Sequence, residues 1–120
     1  MKIMVVDDAA FMRLTLEKIF VKAGHEVIHA KNAVEALTLY QEQRPDLVTM
    51  DITMPEMDGI EGVNKLKAID PHARIIMISA MGQESMVREA INAGAVDFVV
   101  KPFQPERILA AINRAIQKNK

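Results

Sequence analysis

Short apolar runs alternate along the chain with longer segments whose apolar residues recur at helical spacing. Five runs rich in β-branched residues predict strands over residues 3–7, 26–30, 46–51, 74–79 and 97–101. Alternation of strands and helices is typical of an α/β domain with a parallel sheet covered on both faces. The first, fourth and fifth runs are almost unbroken apolar segments, so we expect those three strands to be central.

Apolar residues spaced mainly three or four apart mark five helices. The marked positions are Phe11, Leu14, Ile19, Phe20, Leu37, Tyr40, Ile60, Val63, Leu66, Ile69, Met86, Val87, Ala90, Ile91, Ile108, Ile112 and Ile116. Glycine or proline indicates where the helices begin or end, at Gly24, Pro45, Pro71, Gly94 and Pro105. Lys118 and Lys120 suit the end of the fifth helix, where the helix dipole favours positive charge.

Polar side chains stand where four of the predicted strands end. Asp7 and Asp8 close the first strand, Asp51 the third, Ser79 the fourth and Lys101 the fifth. In a doubly wound sheet, ligands bind at the carboxyl ends of the strands where the strand order reverses. With the order 2-1-3-4-5, the first and third strands are neighbours at that point. The sequence therefore predicts a five-stranded, flavodoxin-like sheet with these polar groups in one cleft.

Three carboxylates in one cleft repel one another unless a cation compensates their charge. Oxygen ligands without nearby histidine or cysteine favour a hard ion such as Mg²⁺, with Mn²⁺ as an alternative. Asp51 can then act as a nucleophile that forms an acyl phosphate. The Lys101 ammonium and the ion can stabilise the transferred phosphoryl group, to which the Ser79 hydroxyl can donate a hydrogen bond.

Length and charge restrict the remaining possibilities. A chain of 120 residues suits one domain, 1–120, and its 15 basic and 16 acidic side chains nearly cancel, so nucleic-acid binding is not expected. The chain contains no cysteine, which fits a reducing compartment. The apolar run at residues 3–6 is too short for a signal-peptide core or a membrane span, so we expect a cytoplasmic protein without membrane attachment.

Five separated motifs resemble one family. They are Val5-Val6-Asp7-Asp8, the segment 46–51, Met54-Pro55 with Met57-Asp58-Gly59, Ser79-Ala80 and Lys101-Pro102-Phe103. Their order and spacing resemble the receiver domain of bacterial two-component response regulators, over essentially the whole chain. Since no output domain follows, the chain is most similar to the stand-alone chemotaxis members of that family.

The resemblance implies a role for each residue of the cleft. It makes Asp51 the phospho-acceptor, Asp7 and Asp8 the acidic metal pair, and Lys101 the phosphate-binding lysine. The backbone carbonyl of Thr53 would be a further metal ligand. These roles agree with the chemistry that the residue types support on their own.

The resemblance also implies which residues take part in switching and which set the rate of acyl phosphate hydrolysis. Ser79 takes the position of the switch hydroxyl and Phe98 that of an aromatic switch residue, and the bond between Lys101 and Pro102 is usually cis in this family. Thr53 and Met81 occupy positions that tune acyl phosphate hydrolysis. Both differ from the residues at these positions in the best-known enterobacterial members, so the resemblance does not predict the lifetime of the acyl phosphate.

The implied protein is a signalling switch rather than an enzyme, one that assists its own phosphotransfer and autodephosphorylation. Its phosphoryl donor would be a CheA-like sensor histidine kinase. Its target would bind the face formed by the fourth helix, fifth strand and fifth helix, with the flagellar motor switch as the chemotaxis expectation. A phosphatase is a further implied partner, and a monomer is expected.

Other functions fit parts of the pattern. A receiver of another phosphorelay, for example of the sporulation type, would carry the same site. A phosphatase of the haloacid dehalogenase type also uses an aspartate nucleophile with Mg²⁺, but its general acid would stand where Thr53 is. A flavodoxin-like cofactor module would need a hydroxyl-rich loop in place of Asp7 and Asp8. A receiver-like scaffold without phosphorylation would not need the competent side chains present here, and Asp7 or Asp8 could instead cap the first helix.

Overall fold

Strands and helices alternate throughout the computed structural model, which describes residues 1–117. The strands are β1 (Lys2–Val6), β2 (Glu26–Ala30), β3 (Leu47–Met50), β4 (Ile75–Ser79) and β5 (Asp97–Val100). The helices are α1 (Ala10–Lys22), α2 (Ala33–Gln43), α3 (Gly59–Ile69), α4 (Glu84–Ala93) and α5 (Pro105–Gln117). Every predicted strand is found, with each end displaced by at most one residue. Lys118 and Lys120, predicted to favour the end of the last helix, lie outside the described residues.

The five strands form one parallel sheet in the order β2-β1-β3-β4-β5. This order confirms the predicted doubly wound topology and makes β1 and β3 neighbours at the reversal point. The prediction that β5 is central was wrong, because β5 is an edge strand. Phe98 and Val99 are nonetheless buried, since helices cover both faces of the strand, whereas Val100 is 46% exposed. An apolar run therefore indicates that helices cover both faces of a strand. It does not indicate that the strand has a neighbouring strand on each side.

The core lies in two layers, one on each face of the sheet. On one face, alternate strand residues pack against α2, α3 and α4. On the other face, the intervening strand residues pack against α1 and α5. This arrangement follows from the two-residue period of strand side chains and brings crossover helices to both faces.

The apolar stripe predicted for α1 was partly wrong. Phe11 is 79% exposed and Leu14 is 54% exposed, while Leu16 and Phe20 are buried against the sheet. With 3.6 residues per turn, Leu16 and Phe20 share one face of the helix, and Phe11 and Leu14 lie on the opposite face. On α4, Ile91 is likewise exposed beside the buried Ala90.

The predicted helix ends are confirmed where glycine permits a positive φ. Gly24 follows α1 with φ 94° and Gly94 caps α4 with φ 120°. Asn32 and Asp58, which were not predicted as caps, accept hydrogen bonds from the first turns of α2 and α3. None of the helices within residues 1–117 has the length and apolar character needed to cross a bilayer.

Candidate functional site

An acidic cluster lies at the carboxyl ends of β1 and β3. Carboxylate oxygens of Asp7, Asp8 and Asp51 lie within 4.8 Å of one another. Asp7 is 2% exposed, Asp51 is 8% exposed, and Asp8 is open to solvent. The parallel pairing of β1 with β3 places these residues side by side, as the topology predicted.

Lys101, which directly follows β5, bridges two of these carboxylates. Its Nζ donates to Asp7 Oδ2 at 2.9 Å and to Asp51 Oδ2 at 3.3 Å. Burial alone would lower the pKa of Lys101, but the hydrogen bond to Asp7 and the charges of Asp51 and Asp7 outweigh it and hold that pKa above its ordinary value. The lysine therefore stays protonated and supplies a fixed positive charge to the site.

Backbone amides orient the other oxygens of the two buried carboxylates. Asp7 Oδ1 accepts from the amide of Ala9 at 2.9 Å, and Asp51 Oδ1 accepts from the amide of Ile52 at 2.7 Å. The alternative that Asp7 or Asp8 caps the first helix was wrong. The N-cap of α1 is Ala9, and among residues 1–117 α1 has no side-chain cap hydrogen bond at this position.

The donor set of the cluster fits a hard divalent cation. Three carboxylates carry a formal charge of −3, and the one ammonium of Lys101 reduces it to −2. Carboxylate oxygens without nitrogen or sulfur ligands are the donors that Mg²⁺ prefers, and a divalent ion would balance the remaining charge. The predicted metal ligands Asp7, Asp8 and Asp51 are therefore placed where they can hold Mg²⁺ together.

The loop after β3 folds closely around Asp51. A methyl group at Gly59 would overlap the backbone oxygen of Asp51, so only glycine fits at the start of α3. The Gly59 amide donates to the carbonyl of Ile52 at 2.8 Å, which closes the loop. Thr53 lies in this loop, and the role of its carbonyl as a metal ligand stays a prediction.

Ser79 ends β4 and is 1% exposed. Its Oγ accepts a hydrogen bond from the amide of Met81 at 3.2 Å, and its carbonyl accepts from the amide of Lys101 at 2.9 Å. The side chain of Met81 in turn contacts Thr53, whose hydroxyl lies 3.1 Å from the methionine sulfur. The loops that follow β3 and β4 are thereby connected above the sheet.

Phe98 is placed on β5 as predicted, and its side chain is largely buried. It is 8% exposed and belongs to the core layer that includes α4. Its carbonyl accepts a hydrogen bond from Arg107 Nη2 at 3.0 Å. The Phe98 ring already lies in the hydrophobic core in this structure, so the role of Phe98 as a switch stays a prediction.

Two arginines that support the site were missed in the sequence. Arg13 on α1 donates to the carbonyl of Asp7 at 2.6 Å and holds the turn that carries the acidic pair. Arg107 anchors the backbone of β5 beside Lys101. No sequence pattern marks either residue, because basic side chains are common on helices and these contacts form only in the folded chain. The expected cis bond between Lys101 and Pro102 is present.

Fold and site together define a doubly wound domain with an acidic cluster and a lysine at the reversal point of its sheet. Residues 3–113 match the response regulator receiver domain family, and the chain belongs to this family. This assignment favours the receiver over the phosphatase and flavodoxin-like alternatives.

Relatives and solved structures agree with the assignment. The chain is 60% identical to the chemotaxis protein CheY of Bacillus subtilis (strain 168), over 96% of this chain and 97% of that protein. It is 57% identical to the chemotaxis protein CheY of Thermotoga maritima, over 94% and 95%. Among solved structures it is similar to the CheX-CheY-BeF3-Mg+2 complex from Borrelia burgdorferi, with a TM-score of 0.93 and 36% identity over 96% of this chain and 88% of that chain.

Proposed function

We propose that this chain is a phosphorylation-dependent signalling switch in chemotaxis that accepts a phosphoryl group on Asp51 from a CheA-like histidine kinase. The observation that carries the proposal is the Lys101 ammonium bridging Asp51 and Asp7 beside the exposed Asp8. Family membership and the near full-length likeness to two CheY proteins support the chemotaxis role.

Asp51 is oriented for nucleophilic attack. Its Oδ1 is held by the amide of Ile52, so Oδ2, which faces Lys101, is the oxygen left to form the new bond to phosphorus. As that bond forms, the bond from phosphorus to the donor's histidine nitrogen breaks and the imidazole keeps the electron pair. Lys101 then turns from Asp51 Oδ2 to a phosphoryl oxygen and stabilises the negative charge there.

Asp7, Asp8, Asp51 and the Thr53 carbonyl would hold Mg²⁺, with Mn²⁺ as an alternative. When bound, the ion offsets the charge of the carboxylates and of the phosphoryl group. The chain's own contribution is to fix the ligands, through the Ala9 amide for Asp7 and the Ile52 amide for Asp51.

The proposed output is a change of surface. A phosphoryl group on Asp51 would draw the Ser79 hydroxyl toward it. The Ser79 carbonyl accepts a hydrogen bond from the amide of Lys101, which directly follows β5, so a movement of Ser79 can reach that strand. The face of α4, β5 and α5 would then bind its target, with the flagellar motor switch as the proposed partner. Because Phe98 is already buried, its part in the switch would be a repacking within the core.

The remaining properties belong to the same proposal. The chain assists its own phosphotransfer and autodephosphorylation and is not otherwise an enzyme, and a separate phosphatase also acts on it. Thr53 and Met81 tune the lifetime of the acyl phosphate. We place the protein in the cytoplasm as a monomer whose receiver domain spans residues 1–120, and its cysteine-free composition supports the reducing compartment.

Intact-mass measurement after incubation with Mg²⁺ and a small phosphodonor tests the acceptor. The wild type should gain one phosphoryl group, while Asp51→Asn or added chelator should abolish the gain. Asp46→Asn is the matched control, since Asp46 accepts from the Lys2 amide at the opposite edge of the sheet. Labelling that persists in Asp51→Asn would place the acceptor elsewhere.

Target affinity tests the output. Coupling between phosphorylation and target binding is typically about 5- to 150-fold in affinity. Beryllofluoride with Mg²⁺ should strengthen binding of a motor-switch peptide in the wild type by an amount in this range. The gain should be much smaller in Ser79→Ala, and an undiminished gain would mean that the signal does not pass through the Ser79 hydroxyl.

A further inference from the structure

A side-chain contact joins the loop after β3 to the loop after β4. The Thr53 hydroxyl, in the loop after β3, donates to the Met81 sulfur, in the loop after β4, over a distance of 3.1 Å. Thr53 is exposed and Met81 is half-buried, so the contact lies at the mouth of the site. The contact is not required to build the sheet, because both residues lie outside the strands.

The same methionine holds the switch hydroxyl. The Met81 amide donates to Ser79 Oγ at 3.2 Å, and Ser79 is almost completely buried. Thr53, Met81 and Ser79 therefore form one connected path from the loop beside Asp51 to the end of β4.

The path continues to the outer strand of the sheet. Gly82 lies so close to Val100 that an added methyl group would be 2.9 Å from a methyl carbon of that valine. Val100 is 46% exposed on β5, so displacement of the loop after β4 changes the surface there. Met81 thus lies between the acceptor and the proposed target-binding face.

We propose that Thr53 and Met81 are positioning residues that form a latch, which holds Ser79 in the resting state of the switch. The inference rests on the proposed function, because it takes Ser79 as the hydroxyl that moves toward phosphorylated Asp51. When Ser79 Oγ turns, it either leaves the Met81 amide without a partner or draws that amide along. Leaving the Met81 amide without a partner costs a hydrogen bond, and drawing it along pulls the Met81 sulfur away from Thr53.

The latch favours the resting state by a modest factor. An intramolecular hydrogen bond makes a small net contribution, and a thioether sulfur is a weak acceptor, so we expect a shift of about 2- to 5-fold in the switching equilibrium. Removing the contact should let the active state form at lower occupancy of the acceptor site.

Beryllofluoride titration at saturating Mg²⁺, followed by the amide NMR signals of Ser79 and Gly82, tests the latch. Thr53→Val keeps the side-chain shape without the hydroxyl, and Met81→Leu removes the sulfur acceptor. Each should lower the beryllofluoride concentration at half-saturation by about 2- to 5-fold. The double variant should gain little more, because both changes remove the same contact.

Two further proteins give the test its controls. Thr53→Ser restores the hydroxyl donor and should return the midpoint toward that of the wild type. Thr15→Val removes a threonine hydroxyl that donates to the Phe11 carbonyl on α1, far along the chain from the latch, and should leave the midpoint unchanged. In the absence of beryllofluoride, the Ser79 and Gly82 signals of Thr53→Val should already be displaced toward their activated positions.

Different failures have different meanings. Equal midpoints in wild type, Thr53→Val and Met81→Leu, or fully additive shifts in the double variant, would overturn the latch while the acceptor function stands. A wild type that neither responds to beryllofluoride nor gains a phosphoryl mass would overturn both the proposed function and the latch.

Discussion

Charged networks of different composition lie at the carboxyl ends and at the amino ends of the parallel strands, which we call the carboxyl edge and the amino edge of the sheet. At the carboxyl edge, the Lys101 ammonium is shared by Asp7 and Asp51, and the exposed Asp8 adds a third carboxylate beside them. At the amino edge, where α2 and α3 end, Asp70 accepts from the Tyr40 hydroxyl at 2.8 Å and pairs with Arg44 at 3.5 Å. That network is balanced, with one negative and one positive charge.

The two networks differ in whether their charges balance, and this difference indicates which of them is suited to binding a ligand. The amino edge has its partners within the chain, so its contacts act on stability. The carboxyl edge has an excess of negative charge that a bound cation can offset, and this makes its stability depend on what is bound. Comparing matched substitutions at the two edges therefore separates structural groups from functional ones.

The largest contrast is expected between two glycines. Gly59→Ala should cost about 3 kcal/mol of unfolding free energy, because its methyl group would overlap the backbone oxygen of Asp51. At the amino edge, Gly24 has a φ of 94° with no atom within 4 Å of an added methyl, so Gly24→Ala should cost about 1 kcal/mol from backbone strain alone. Urea denaturation measures both, and equal losses would contradict the close approach at Gly59. Gly59→Ala should also reduce phosphorylation, whereas Gly24→Ala should not.

Two lysines give the next contrast. Lys101→Met leaves Asp7 and Asp51 without their shared ammonium and should cost about 2 kcal/mol in metal-free buffer. Added Mg²⁺ should restore more stability to this variant than it adds to the wild type, since the charge to be offset is larger. Lys67→Met is the control, because the Lys67 ammonium donates to the carbonyls of Pro71 and Ala73 and not to the acidic cluster. Thermal melts with and without Mg²⁺ decide the matter, and a Lys101→Met loss that Mg²⁺ leaves unchanged would count against the site.

The carboxyl edge was predictable because its residues obey a topological rule. Asp7, Asp51 and Lys101 each stand at the end of an apolar run, and the strand order brings those ends together. Local pattern and general topology were enough to place them. The roles of the side chains, in contrast, rest on chemistry and family likeness.

The amino edge could not be predicted in the same way. Tyr40 marked a helix, and Asp70 only precedes Pro71, which marked the end of the next helix, yet the hydrogen bond between Tyr40 and Asp70 joins residues thirty positions apart. Periodicity also failed for Phe11, because it identifies apolar stripes without showing which one the sheet covers. Contacts of this kind depend on how helices settle against each other, and no local pattern in the sequence records that.

Tyr40→Phe tests the balanced network and should cost about 1 kcal/mol at neutral pH, since it removes a hydrogen bond to a partly exposed carboxylate. Burial, followed by the bond to Asp70, raises the pKa of Tyr40 to about 12. A raised pKa contributes stability below the ordinary value of 10, and this stability is lost as the pH rises toward 12. The bond from Tyr40 lowers the pKa of Asp70, so that contribution is lost as the pH falls through the lowered value. The stability difference between wild type and variant, followed by urea denaturation from acid to alkaline pH, should therefore shrink at both extremes, and a constant difference would contradict the bond.

The smallest effect on the fold is expected at Asp8, and it has the clearest functional meaning. Asp8 is exposed, and its carboxylate lies within 4.8 Å of those of Asp7 and Asp51, so Asp8→Ala relieves repulsion without leaving a buried group unpaired. The melting temperature of the metal-free protein should stay the same or rise by about 2 °C. The Mg²⁺-induced rise, in contrast, should be much smaller than in the wild type, because a ligand is gone. Asp46→Ala at the amino edge provides the control and should keep the full metal-induced shift, since Asp46 contacts the Lys2 amide. If Asp8→Ala and the wild type show the same shift, Asp8 is not a metal ligand and the excess charge at the carboxyl edge is offset without it.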